Sequence, residues 1–410
     1  MNVSPSFSPP IRLMKPYFML SVLFYVLSLC AALFIDPLTP FEDFTLIAWV
    51  HLYMLGFVML AIFAAMAQLG PIVIESNHYN VKIFKHLHKA LIMGLFFLLS
   101  GFLYNTTFLL FGGGIVLGVM LVYAGEFLLT LKYARRKTSI TKAMKMSNFF
   151  LLIGIMTGLT MAAAFNNIVD LNPHEILEVH TFGLVVGFVI LLIMGISIIL
   201  IPMFATAKRV SDNEFSSSFI TLSIAVFMMI GSSFMLPTIL HNGAYLLTLI
   251  AFVFFFIQLF KMFHSRAKIK HDIWALSIYV AYGSFVLSVI FFVTYLLNSD
   301  NLFLRTALWL LFVGFFGFII IGNFYKIIPF LVWFHIYSPL IETQSVPMLH
   351  QLLDNKRAHL QWFYSVCGLI LSSVAIMIEN THLFYGAMIL LIFGGFILVS
   401  TINHIFHTNT

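Results

Sequence analysis

Two histidines set inside apolar runs are the first residues to weigh. His51 follows Trp49-Val50 and His180 follows Val179, and apolar sequence continues beyond each. An imidazole is costly in hydrocarbon and its ring nitrogen is a common ligand for heme iron and other metals, so both are candidates to hold a cofactor. The plainer alternative is an interfacial histidine bonded to water or to a carbonyl. His174 and Glu178, four residues apart, share a helix face that suits a divalent metal. The same stretch also reads as an ordinary helix start, with Asn172 as cap, Pro173 in the first turn and Glu175 at the third position. A third group, Glu126, Lys326, Gln68 and Tyr325, places polar and ionizable side chains within apolar runs, which suits a proton or polar path. A Lys326–Glu126 pair is one form it would take. Snorkeling of both to a membrane surface is the other. The remaining histidines, including His78, His86 and His88 among lysines, show no metal-site spacing. Cys30 and Cys367 form no redox or disulfide motif.

The elements that position these residues follow from composition. Of 410 residues 61% are hydrophobic and 9% charged, against about 25% charged in a soluble domain. Most of the surface must therefore face lipid. Apolar stretches long enough to cross a bilayer are expected at approximately 16–35, 45–70, 88–105, 108–131, 147–167, 174–203, 216–237, 243–261, 273–297, 302–331, 358–378 and 384–404. The expected fold class is thus all-α, a polytopic membrane protein of about 12 spans forming a single transmembrane domain over 1–410.

Charge sets the topology. Every Lys and Arg except Arg305 and Lys326 falls in alternate connections, as in Lys82, Lys85 and Lys89 or Arg135, Arg136 and Lys137. The opposite connections carry Asp36, Glu42, Asp43, Asp170, Asp300 and Glu379. This is the positive-inside pattern, and it puts both termini in the cytoplasm. The net charge of +6 is accounted for by topology, so no nucleic-acid partner is implied. The setting expected is a bacterial inner membrane, with the lipid bilayer as the first partner. Phosphate loops, dinucleotide fingerprints and zinc-protease motifs do not occur.

Three of the expected spans share a pattern. Gly56-Phe57, Ala64 and Pro71 are matched by Gly187-Phe188, Gly195 and Pro202, and again by Gly314-Phe315, Gly322 and Pro329. Each is the second span of a set of four, which divides the chain into repeats of about 1–145, 146–272 and 273–410, a pseudo-threefold 4+4+4 array. Small residues at these steps allow close helix approach in lipid.

Together these features resemble the catalytic subunit (subunit I) of the heme-copper oxidase superfamily, in its cbb-type oxidase and nitric oxide reductase branch. The resemblance rests on the twelve spans, the threefold repeat, and three stretches. These are Trp49-Val50-His51 through Gln68-Leu69-Gly70-Pro71, Val179-His180 through Pro202-Met203-Phe204, and Gly322-Asn323-Phe324-Tyr325-Lys326 through Pro329-Phe330. It implies that His51 matches the axial ligand of the low-spin heme and that His180 falls near the first copper ligand. The family's His-x-His pair in the tenth span is replaced by Arg305-Thr306-Ala307 and Trp309. Its paired histidines in the seventh span are missing over 215–237, and Leu184 stands where a tyrosine would follow His180. The resemblance therefore implies a b-type heme at His51 without dioxygen reduction, and the missing ligands count against copper.

Three readings stay open at this point. The first is a non-oxidase relative serving electron transfer, nitric oxide response, or heme and metal handling, beside respiratory or redox membrane proteins. The second is a proton-linked transporter or channel on the same bundle, and the third a non-catalytic assembly partner of a respiratory complex.

Overall fold

A computed structural model describes residues 9–134, 137–233, 237–267 and 271–407. Arg135, Arg136, Lys268 and Lys270, which contribute to the charge alternation, lie outside the described residues. All regular structure among the described residues is helical, and twelve helices are long and apolar enough to cross a membrane. They are α1 Ile11–Phe34, α2 Phe44–Ile74, α3 Val81–Leu103, α4 Thr107–Lys132, α5 Ser139–Phe165 and α6 Pro173–Ala205. They continue as α7 Asp212–Ser232, α8 Ile239–His264, α9 Ile273–Asn298, α10 Asn301–Leu340, α11 Asn355–Met377 and α12 Thr381–His407. The chain is a multi-pass membrane protein, and its helices contact lipid. Every expected span coincides with one of these helices. The largest departure is α10, which runs past Pro329 into a π-helical turn at Trp333–Tyr337.

The helices group into two compact units, Met66–Ile269 with Met1–Pro9, and Pro10–Ala65 with Lys270–Thr410. The first holds the C-terminal end of α2 together with α3 to α8. There α3 packs on α4, α4 on α5, α5 on α6 and α7 on α8. The second holds α1, the N-terminal part of α2, and α9 to α12. There α1 packs on α2 and α12, α9 on α10, and α11 on α12.

Helix starts obey local chemistry. Asp43, Asn172, Asp272 and Asp354 accept hydrogen bonds from backbone N–H groups of the first turn, and Ser211 with Glu214 forms a reciprocal capping box on α7. The Thr45 hydroxyl and N–H groups hold the exposed Asp43 carboxyl below the usual carboxylate range.

The glycine pattern coincides with a backbone event that hydropathy does not announce. α2 is π-helical over Leu52–Met59, α6 over Gly183–Ile190 and α10 over Leu310–Phe316, each segment enclosing its Gly-Phe pair. In each case the helix preceding it in sequence presses on the glycine. A Cβ would stand 2.7 Å from Phe24 of α1 at Gly56, 2.9 Å from Phe150 of α5 at Gly187, and 2.6 Å from Ser284 of α9 at Gly314. Only glycine permits that approach. The wider π turns interrupt the backbone ladder, and side chains meet exposed carbonyls: Ser21 Oγ donates to Phe57 O at 3.0 Å and Tyr53 Oη to Phe312 O at 2.8 Å.

The prolines also act alike. Glu75 and Thr206 stand four residues after Pro71 and Pro202, both with φ of 53°. The next N–H, of Ser76 and Ala207, returns to the proline carbonyl at 3.1 Å in each case. These are left-handed helix ends built without glycine. α10 lacks this stop and continues.

Candidate functional site

His51 ends the α-helical start of α2, immediately before the π segment. Its Nδ1 lies 2.8 Å from Ile47 O, one turn back on the same helix. A carbonyl only accepts, so Nδ1 carries a proton, and the nitrogen directed away from the backbone is Nε2. That arrangement fits one axial ligand of a heme or metal. Ile47, Val50, His51, Met54 and Leu55 are half-exposed, whereas Gly56 to Ala64 on the same helix are buried. The N-terminal part of α2 is thus more open than its middle.

Around that N-terminal part the second unit is rich in aromatics. Trp49 and Trp309 stack at 5.9 Å with 19° between their planes. Trp49 Nε1 donates to Ser28 O at 2.8 Å, and Trp309 Nε1 to Ser372 Oγ at 2.8 Å. Arg305 Nη1 donates to Pro37 O at 3.2 Å, and its guanidinium lies over Phe41 at 4.4 Å. Trp309 and Arg305 of α10 are thus a packed tryptophan and a loop-fastening arginine.

His180 belongs to the first unit. Its Nδ1 lies 2.8 Å from Gly154 O on α5, a carbonyl that also accepts from Thr157 Oγ1 at 2.8 Å. The ring fills the notch left by Gly158, where a Cβ would stand 2.6 Å from its Cε1, and Leu184 one turn on presses similarly on Gly154. His180 fastens α6 to α5. Glu178 is exposed, with Oε2 2.8 Å from Nε2 of His241 on α8, while His174 is exposed at the helix start. No three His, Cys, Asp or Glu side chains gather among the described residues.

The polar set does not assemble as expected. The Lys326–Glu126 pair gives way to two other pairs. Lys326 Nζ donates to Asp272 Oδ2 at 2.7 Å, and that carboxylate also caps α9. Glu126 is 4% exposed and meets His78, with Nδ1 2.9 Å from Oε1. Gln68, buried, donates through Nε2 to Pro9 O at 3.2 Å. Tyr325 Oη donates to Gln361 Oε1 at 2.9 Å, and Gln361 Nε2 to Ser365 Oγ at 2.8 Å, a buried chain in the second unit. Each of the four positions thus has a hydrogen-bond partner of its own within its unit.

His78, Thr130, Asp272 and His241 are the partners that sequence reasoning missed. Glu126 held the signal: a carboxylate within a lipid-spanning run demands a donor, and the connection after Pro71 offered one.

No protein-family model matches the chain, and no curated relative matches it. Among the described residues the fold defines a helical multi-pass membrane protein with twelve helices long and apolar enough to span a bilayer, three of them sharing glycine-centered π segments.

Proposed function

We propose that the chain is a divergent relative of the heme-copper oxidase catalytic subunit, in a bacterial inner membrane, that binds a b-type heme through His51 and does not reduce dioxygen. The observation that carries the reading is the His51 ring, fixed by Ile47 O on the more open N-terminal part of α2. A histidine held by Nδ1 to a carbonyl has its tautomer and direction set for ligation through Nε2. A bound heme would supply one-electron chemistry and an iron center for small ligands such as nitric oxide. The protein's share is to hold the ring through Ile47 O and to keep the site within low-dielectric surroundings. The Trp309 stack and the Arg305 fastening argue against a second metal center on α10.

The test is a comparison of air-oxidized and dithionite-reduced absorption spectra of the detergent-purified protein, with heme supplied during expression, beside His51→Ala. Reduced b-type bands that disappear in the variant support the proposal. A featureless wild-type spectrum, or bands that persist in His51→Ala, would refute it.

A further inference from the structure

The His78–Glu126 pair lies in the first unit, away from the residues invoked for heme, and has a chemistry of its own. Pro71 has no N–H, so the carbonyl of Ala67, one turn earlier in α2, loses its usual helical donor. His78 Nε2 takes that place at 2.7 Å. Because the carbonyl only accepts, Nε2 must carry a proton, and Nδ1 is the ring atom turned to Glu126 Oε1 at 2.9 Å. One proton therefore lies between Nδ1 and Oε1. Thr130 Oγ1 accepts from Tyr79 N–H at 2.9 Å and spends its own proton on Glu126 Oε1 at 2.7 Å; Asn80 N–H approaches the same oxygen at 3.5 Å. Donors crowd Oε1, which favors imidazolium facing carboxylate.

The second oxygen has no such company. Glu126 Oε2 is buried with no hydrogen-bond partner among the described residues. The two side chains are 4% and 2% exposed. A buried carboxylate oxygen left without a donor is costly. A metal ion does not answer the need, because the imidazole is already committed at both nitrogens and one oxygen is too few ligands. A proton does.

We propose that His78 and Glu126 form a proton-accepting site at the lysine-rich end of the helices. In the resting pair imidazolium faces carboxylate. A proton arriving from water binds Glu126 Oε2, giving imidazolium beside a neutral carboxyl, and leaves by the same bond breaking. Access is short, since Asn77, Tyr79 and Asn80 of the covering connection are exposed. The other titratable groups on the surrounding elements are Tyr123, one turn earlier on α4, the buried His88 on α3, and Glu75 at the end of α2. Lys82, Lys85, His86 and Lys89 on α3, Lys132 on α4, and Lys142 and Lys145 on α5 are exposed. This site stands whether or not His51 holds a heme.

The experiment is infrared difference spectroscopy of the full-length protein in detergent, stepping pH in H2O and in D2O. A protonated-carboxyl band should appear on acidification, shift in D2O, and be lost in Glu126→Gln. In His78→Gln it should appear at a different pH, because the facing cation is gone. Size-exclusion profiles establish folding. If Glu126→Gln fails to fold, Glu126→Asp should keep a band at an altered frequency. The proposal is overturned if the wild type shows no such band over the range in which it stays folded. It is equally overturned if the band persists in Glu126→Gln, or is unmoved in a folded Glu126→Asp.

Discussion

His78 completes a helix to which it does not belong: its Nε2 donates to Ala67 O at 2.7 Å, replacing the N–H that Pro71 cannot supply. Three links follow in order, from a proline in the sequence to a freed carbonyl in α2 to a histidine fixed beneath a loop.

Pro71→Ala should dissolve that relationship. Residue 71 would regain its N–H and take the Ala67 carbonyl into the helix ladder, releasing the ring. Diethyl pyrocarbonate modification of His78, followed by mass spectrometry, should then be faster than in the wild type. Unchanged modification would show that His78 is held by Glu126 alone.

The α5–α6 contact around His180 predicts a sharp contrast between glycines. Gly158→Ala places a methyl 2.6 Å from the ring and should cost about 1–3 kcal/mol by overpacking. Gly118, on α4, has nothing within 4 Å of its would-be Cβ. Gly118→Ala should leave stability unchanged or raise it by up to about 1 kcal/mol through helix propensity. Thermal unfolding midpoints in one detergent distinguish them.

Trp309 is expected to be a structural center of the second unit. Trp309→Ala should cost about 3–5 kcal/mol through the cavity it leaves. Trp309→Phe keeps the stack on Trp49 and should lose about 1 kcal/mol with its hydrogen bond. Ser372→Ala on top of Trp309→Phe should add little, since both remove the same bond. Fully additive losses in the double variant would contradict the shared bond.

Topology is open to a direct measurement. In a Cys30→Ala, Cys367→Ala background, single cysteines at Lys85, Lys208 and Lys356 should react with a membrane-impermeant thiol reagent from one side only. Cysteines at Glu42, Asp170 and Asp300 should react from the other. All six positions are exposed. Mixed labeling within either set would break the assignment.

The spans were legible because hydropathy and charge act along the chain: a segment such as 273–297 declares itself without reference to any other. The glycine spacing was legible too, but not its backbone meaning, because a π turn depends on what presses against it, as Phe150 does at Gly187. The polar partners were hidden for a related reason. His78 is 48 residues from Glu126 and Lys326 is 54 from Asp272, so neither pairing leaves a local signature. His78 looked like one more basic residue of a lysine-rich loop.

The π segments have a consequence for how these three helices are drawn. Successive residues of an α-helix advance by about 100°, and a π turn takes in an extra residue before the α register resumes. A helical wheel carried through Gly56, Gly187 or Gly314 therefore mixes two phases. Each of these helices behaves as two rods joined by a rotary step. Residues before the step, His51 among them, therefore face directions that a single wheel drawn from the residues after it would misassign.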